Sequence, residues 1–500
     1  MKKGIILLTI FIIFVGINIT LYRFWGSNQL ISNSYFIILN ILNIINFLIA
    51  LTIIINILLK NDNPSSKLLW LTIMFFLPFF GIIFYFIFAR DFKNKFIHSE
   101  RPIIKDRKYL DYEPSMDVDL LFNDIFTYAF NCSRKTIFKD DTKTTVLTNG
   151  DQLFPLFIKE LESAKQYIYM AFYIIRNDII SLKVLDILES KAKAGIEVRL
   201  IYDQLGSRKF SRKMLRKLKK VGVKVTPFEK FAPFHFFNAI NFRYHRKITI
   251  IDGRCGFIGG MNLGDEYNHL SKRFGFWRDT HLFIEGRAII SLTNVFLKDW
   301  YYATGEWLSP NFNYEQINEK GRVTVLESGP DNQEPIIKQI YFKAITTSKE
   351  SIMITTPYLM LEPEMVTALM TAAKSGVEVS ILLPGKPDKF WVNQATKSYY
   401  ETLLRAGIHI YEYADYFVHS KVLIIDRQYA SIGSVNFDPR SFNINFEATV
   451  LLENNSVDHL VNDFESDIMK ANKINLINWR KRSIIKKLLQ GFANLFSPLL

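Results

Sequence analysis

Three uninterrupted apolar runs open the chain: Gly4–Tyr22, Tyr35–Leu59 and Leu68–Phe88. None contains a charged residue. A helix needs about 20 apolar residues to cross the hydrocarbon core of a bilayer. Three such runs in succession would expose apolar surface on every face in water, so the pattern predicts membrane helices. The first run has too long an apolar core, and no small-residue cleavage site after it, for a signal peptide. With Gly4, Gly16 and Asn18 it is also the weakest span. After residue 110 short apolar runs alternate with amphipathic stretches. Tyr167–Ile175 reads as a buried strand and Leu182–Ala194 as a helix closed by Gly195. Ile196–Tyr202 reads as a strand and Ser211–Val221 as a basic helix stopped by Gly222. The order then recurs: strand Ile352–Thr356, helix Glu364–Ser375 closed by Gly376, strand Val377–Leu383, helix Thr396–Ala406 stopped by Gly407. Strand–helix alternation predicts an α/β fold of parallel sheets faced by helices. The segments Ala194-Gly195-Ile196-Glu197-Val198 and Ser375-Gly376-Val377-Glu378-Val379 match closely. The expected plan is therefore a membrane segment (1–110), two similar α/β halves (111–325 and 326–467) and a tail (468–500).

Composition narrows the function classes. The 500 residues are 49% hydrophobic and 15% aromatic, which excludes a disordered chain. Only Cys132 and Cys255 are present, so there is no disulfide scaffold. The formal net charge is +14, and its location matters more than its size. Residues 1–110 hold 12 Lys/Arg against 4 Asp/Glu, residues 468–500 hold 7 against none, and the middle is almost neutral. A nucleic-acid enzyme keeps its basic surplus on the domain that grips the phosphate backbone. A surplus confined to the flanks suits an anionic membrane surface instead. In 89–110, Arg90, Lys93, Lys95, Arg101, Lys105, Arg107 and Lys108 outnumber three acids, which puts the rest of the chain in the cytoplasm. Lys2 and Lys3 make the same claim for the other end, and three crossings cannot satisfy both. In Ile474–Phe496, Ile477, Ile484, Ile485, Leu488, Phe492, Leu495 and Phe496 fall at helical spacing beside Arg480, Lys481, Arg482, Lys486 and Lys487. Such a helix either lies in the membrane interface or packs on the catalytic part. The aromatic stretch Phe228–Phe242, with Phe234, Phe236 and Phe237, reads equally as an acyl-chain contact or as core.

The chemistry lies in a motif that occurs twice. His245-x-Lys247 is followed by Asp252, Gly259, Gly260 and Asn262; His419-x-Lys421 by Asp426, Gly433, Ser434 and Asn436. His and Asn are 17 residues apart in both copies. Residues two apart on a strand share a face, so each copy presents an imidazole beside an ammonium. Brought together, two His, two Lys and two Asn make a site for a tetrahedral phosphate. Lys247, Lys421, Asn262 and Asn436 would stabilise charge on the non-bridging oxygens. One His can attack phosphorus to give a phospho-enzyme, and the other can protonate the leaving oxygen. Neighbouring lysines repel a cation and no Cys or carboxylate cluster completes a ligand set, so neither metal nor cofactor is expected. Asp279, 34 residues after His245, and Glu447, 28 after His419, are candidate acids for orienting the imidazoles.

These residues are similar to the paired His-Lys-Asp signature of the phospholipase D superfamily, and longer stretches resemble its bacterial cardiolipin synthases. They are Asn241–Tyr267, Trp277–Glu285, Thr356–Tyr358, Tyr411–Tyr413, Asp438–Phe442 with Asn445-Phe446-Glu447, and the membrane entry Asn61–Phe88 with Pro78 and Gly81. The first apolar run is a departure, since two spans are usual in that family. The resemblance implies two α/β halves around one active site, and conversion of two phosphatidylglycerols into cardiolipin and glycerol. It implies His245 as nucleophile, His419 as acid and base, and Asp252 and Asp426 as supports of the motif. The alternatives are a membrane phospholipase D-type hydrolase, a phosphatidyltransferase using another acceptor alcohol, a nuclease of the same superfamily, or a scaffold with a decayed site. The neutral middle counts against nucleic acid as a partner, and the two intact motifs count against decay.

Overall fold

The computed structural model describes residues 33–59, 64–88, 124–229, 241–332, 334–414 and 416–497. The chain forms two compact units, Met1–Phe92 and Lys93–Leu500. The first apolar run, the basic stretch 89–110 and Phe234, Phe236 and Phe237 lie outside the described residues.

In the first unit the second apolar run forms the helix Asn33–Leu59. Its stretch Asn40–Leu59, of mean hydropathy 2.5, is the one helix among the described residues long and apolar enough to cross a membrane. The third run, expected as one span, is instead two helices, Pro64–Phe76 and Pro78–Phe88. Pro78 has no N–H to continue the ladder and suits the first turn of a new helix. Helical bonding resumes at once, with the Gly81 N–H donating to the Leu77 carbonyl at 2.6 Å. Ile53, Ile57, Met74 and Tyr85 bury one another within this unit.

The second unit holds two sheets built on one plan. The first runs in the order Thr142–Thr148, Thr280–Gly286, Cys255–Gly259, Ile248–Ile251, Tyr167–Phe172, Glu197–Tyr202, Lys224–Pro227. The second repeats those seven as Arg322–Ser328, Glu447–Glu453, Tyr429–Gly433, Val422–Ile425, Ser351–Thr355, Glu378–Pro384, His409–Tyr413. Phe138–Lys139 extends one edge and Ala471–Lys473 the other. The sheets are mixed, which corrects the expectation of parallel sheets. The strand–helix repeats pair in parallel, as Tyr167–Phe172 with Glu197–Tyr202. Each motif strand then turns back at its Asp and pairs antiparallel on both sides, as Ile248–Ile251 does with Cys255–Gly259 and with Tyr167–Phe172. A tight turn after the motif cannot deliver a parallel neighbour.

The predicted helices appear as Ile179–Lys193, Arg212–Lys220 and Pro363–Lys374. Beyond Ile179–Lys193 and Pro363–Lys374, Gly195 and Gly376 take φ of +88° and +98°, where a side chain would be strained. The helix expected over Thr396–Ala406 is divided into Phe390–Ser398 and Tyr400–Arg405. The entry segment departs from the expected boundary. Helix Ile125–Ser133 buries Ile125, Phe126 and Ala129 in the core of the second half, not the first. The two halves share a core in which Tyr169, Ile250, Leu292 and Phe296 meet Val325, Ile432, Val450 and Leu460. The tail helix Ile484–Leu495 packs on the rest of the second unit along one side. It buries Gln490 and Ala493 and sets Phe492 against Trp391 at 6.2 Å, yet leaves Ile484, Ile485, Leu488 and Leu495 exposed.

Candidate active site

Each His-x-Lys copy lies just before its strand, and its partner is the other half. The His245 N–H donates to the Phe446 carbonyl at 3.0 Å, and the His419 N–H to the Arg278 carbonyl at 2.7 Å. Phe446 and Arg278 immediately precede the acids Glu447 and Asp279. This backbone exchange brings each acid to the imidazole of the opposite half. Glu447 Oε2 is 3.0 Å from His245 Nδ1, and Asp279 Oδ2 is 2.7 Å from His419 Nδ1. Both carboxylates are fully buried, and both imidazoles are about 8% exposed. A carboxylate on Nδ1 holds the proton there and leaves the Nε2 lone pair for chemistry.

The asparagines and aspartates divide into different tasks. Asp252 and Asp426 sit at φ +56° and +52°. Asp252 accepts the N–H groups of Lys165, Gln166 and Tyr167, each at 2.8 Å. Asp426 accepts those of Lys349, Glu350 and Ser351 at 2.8 to 3.0 Å. They tie the motif turn to the neighbouring strand and hold no reacting group. Asn262 accepts the Ile174 N–H at 3.0 Å and donates to the Tyr267 hydroxyl at 2.6 Å, so its amide is largely engaged in the fold. The Asn436 oxygen is buried without a partner among the described residues.

Electrostatics couple the halves. Lys247 donates to the His245 carbonyl at 2.5 Å and Lys421 to the His419 carbonyl. One donor of each ammonium is thereby placed and two remain for a ligand. Burial pushes Lys247 down to about 7, partly offset by Glu447, and Lys421 down to about 8, partly offset by Asp279. Burial likewise drives His245 to about 4 and His419 to about 3, so both imidazoles are neutral at pH 7. Burial alone would raise Asp279 and Glu447, but the facing His and Lys groups outweigh it and hold both carboxyls below their ordinary range.

Three features escaped the sequence reading. The acids cross between halves, which linear spacing cannot reveal. Ser434 supports Glu447 with its hydroxyl, and its carbonyl lies 3.1 Å from His245 Nδ1. At the matching position Gly260 is required: a Cβ there would lie 2.1 Å from Asp279 Oδ1. Behind the motif, Arg246 is completely buried and pairs with Asp299 at 2.6 Å and Glu327 at 3.2 Å. The clue was available, since a charged residue in the middle of His-x-Lys must point away from the site. Among the described residues no cluster of three metal-ligating side chains occurs.

The family profile described as "Cardiolipin synthase, PLD-like domain" matches residues 157–300 and 341–468. One described as "Phospholipase_D-nuclease N-terminal" matches residues 44–90. "Cardiolipin synthase 2" of Bacillus anthracis is 40% identical over 457 residues, covering 89% of this chain and 88% of its own. "Cardiolipin synthase" of Geobacillus thermodenitrificans is 38% identical over 511 residues, covering 98% of each. Among solved structures, phosphatidylserine synthase of Haemophilus influenzae superposes with TM-score 0.56 at 13% identity, covering 75% of this chain and 100% of that one. This last likeness concerns the fold alone.

Proposed function

The chain belongs to the cardiolipin synthase family of the phospholipase D superfamily, and on that premise we propose that it joins two phosphatidylglycerols into cardiolipin and free glycerol through a phosphohistidine. The observation that carries this reading is the crossed arrangement, in which each half orients the other half's imidazole.

His245 Nε2 attacks the donor phosphorus. A P–N bond forms, the bond from phosphorus to the headgroup glycerol oxygen breaks, and that oxygen takes a proton from His419. The primary hydroxyl of a second phosphatidylglycerol then gives its proton back to His419 and forms the new P–O bond as the P–N bond breaks. Lys247 and Lys421 hold the non-bridging oxygens, whose charge grows as phosphorus becomes five-coordinate. Substrate resolves the low proton affinity of His419: a phosphodiester anion facing the ring favours the imidazolium. Asp279 and Glu447 keep the tautomers in place.

Transfer and hydrolysis differ only in what attacks the phosphohistidine. Purified protein given phosphatidylglycerol alone should yield cardiolipin and glycerol in equal amounts. Phosphatidic acid as sole product would assign the hydrolase reading. Brief incubation of the wild type with labelled phosphatidylglycerol should leave label on His245, while His419→Ala, which lacks the proton donor for the leaving glycerol, should label slowly; label on His419 in His245→Ala would reverse the two roles. The chain is membrane-associated. We place the catalytic halves at the cytoplasmic face of a multi-pass anchor, on the basic surplus of 89–110. The exposed row Ile484, Ile485, Leu488 and Leu495 beside Lys486 and Lys487 would rest on anionic headgroups.

A further inference from the structure

The two sides of the reaction centre differ in a way that phosphoryl transfer does not demand. On one side Tyr173 stands edge-on to His245, ring centroids 4.9 Å apart, with the Arg243 guanidinium 5.5 Å from the Tyr173 ring. Arg440 lies beside them, donating to the Asn241 carbonyl at 2.6 Å. Among the described residues a single bridge, Tyr244 with Phe446, joins the two segments here, and the second is closed on itself. Phe446 N–H bonds to the Arg243 carbonyl at 2.9 Å, and Asn445 N–H to the Arg440 carbonyl at 2.8 Å.

Arg440 is unlike the other arginines near the site. Arg243 pairs with Asp203, Arg246 with Asp299 and Arg278 with Asp467. Among the described residues no carboxylate oxygen comes within 4.0 Å of Arg440. The polar groups around it are also unfinished. Both side-chain amide atoms of Asn241, the amide oxygens of Asn436 and Asn445, and the Ser441 hydroxyl are buried without a partner among the described residues. Asn241 and Ser441 are each only 1% exposed. Buried polar atoms are normally satisfied, so five of them in two facing segments, beside a cation that feels Asp438 without forming an ion pair with it, require an explanation.

The pseudo-symmetric side is filled. Glu266 stands four residues after Asn262, as Arg440 does after Asn436, and it is bonded to Arg176 at 2.9 Å. Phe417 takes the place of Arg243, two residues before the His. Asn262 is engaged by Ile174 and Tyr267.

We propose that Arg440, with Asn241, Asn436 and Asn445, forms a second phosphate subsite that holds the phosphodiester of the acceptor lipid while its headgroup hydroxyl meets the phosphohistidine. The inference rests on the transfer reading above and adds where the second lipid sits. A guanidinium donates in a planar fork to two phosphate oxygens. The open amide oxygens accept from the acceptor's glycerol hydroxyls, which makes the acceptor a polyol phosphodiester and not water. The subsite thereby favours transfer over hydrolysis.

The test separates acceptor from donor. Full-length protein in phosphatidylglycerol vesicles is assayed for cardiolipin formation and for exchange of labelled glycerol into phosphatidylglycerol, which uses an acceptor without phosphate. Arg440→Gln should lower cardiolipin formation at least about tenfold, and Arg440→Lys less. Glycerol exchange should stay within about threefold in both, which also reports that they fold. Equal loss of both reactions, or of neither, overturns the subsite. Inorganic phosphate that alters glycerol exchange in the wild type and not in Arg440→Gln assigns the pocket to free phosphate and overturns the lipid-acceptor proposal. Absence of glycerol exchange in the wild type would instead refute the transfer chemistry itself.

Discussion

His245 and His419 occupy matching places in matching halves, yet their neighbours have little in common. Around His419 stand aromatic rings: Trp277 at 5.3 Å, Phe417 at 5.9 Å and Tyr267 at 6.0 Å. Around His245 stand Tyr173 and the arginines Arg243 and Arg440. What the two surroundings retain is what the reaction needs twice: a carboxylate on Nδ1, a lysine on the same face and an Asp that ties the turn. Everything else has diverged. Even the buried guanidinium behind the site changes strand. Asp299 and Asp467 each follow their orienting acid by 20 residues. Asp299 is met by Arg246 from within the His-x-Lys motif, Asp467 by Arg278 from the neighbouring strand. The place of Arg246 in the second copy is taken by Ser420, which touches Thr280 instead. The ion pair is kept while the residue that supplies it is not.

The largest effect should come from the shared element. Asp279→Asn and Glu447→Gln preserve shape but lose the charge that fixes each tautomer, and each should lower kcat by about 10^2 to 10^4. Because the acids cross, Asp279→Asn should mimic His419→Ala in which half-reaction fails, and Glu447→Gln should mimic His245→Ala. Rapid-quench measurement of phospho-enzyme formation and decay decides it. An Asp279→Asn enzyme that fails only where His245→Ala fails would break the pairing.

Stability tests the exchanged arginine next. Arg246 is completely buried, and Arg246→Met strands Asp299 without its cation, while Glu327 keeps Lys135 and Lys298. Removing one partner of a buried pair costs about 3 to 5 kcal/mol. Thermal unfolding should register it as a lower Tm. Arg278→Met should cost less, because Asp463 beside it retains some solvent contact. Equal shifts would mean that the solvent contact of Asp463 does not soften the loss of Arg278. Gly260 against Ser434 gives a smaller effect. Gly260→Ser would press its Cβ into the Asp279 carboxylate, and misplacing a catalytic group by about 1 Å costs roughly 10^2 in rate. Ser434→Gly removes one hydrogen bond to Glu447 and should cost about tenfold or less. Steady-state kinetics on both distinguishes a required glycine from a tolerated one.

Much of this was readable in advance, for reasons tied to particular residues. The two halves could be read because Gly195, Gly222, Gly376 and Gly407 follow the repeated helices at matching places. The candidate reacting groups could be picked out because His245, Lys247, His419 and Lys421 recur at fixed spacing. The crossing of Asp279 and Glu447 could not, since spacing along the chain places each acid after its own motif and is silent on which half faces which. Mixed sheets were missed because the apolar runs of antiparallel and parallel central strands look alike when both faces are buried. The third apolar run looked continuous because Pro78 is itself apolar, although it has no donor to continue the ladder. Residues 125–133 were placed in the first half by chain order alone, while their apolar side chains found their partners in the second half.

The finest discrimination lies between the two lysines. Both must be ammonium to hold a phosphate, and both have depressed proton affinity, so activity is lost as pH rises through their values. Lys247 reaches about 7 and Lys421 about 8. Lys421 feels more carboxylates, since Asp279, Glu447, Asp388 and Asp438 all favour its charged form. The alkaline limb of phosphatidylglycerol binding, which needs both ammoniums and no proton on His419, should therefore begin near pH 7 with Lys247 and steepen near 8. Arg carries its charge through this range. Lys247→Arg should move the limb up to about 8, and Lys421→Arg should leave it near 7. At low pH His245, the proposed nucleophile, is protonated only below about 4, so the acidic limb of activity should be distant and unchanged in both variants. A profile flat to pH 9, or limbs that move together in the two variants, would show that the halves share one lysine environment and not two.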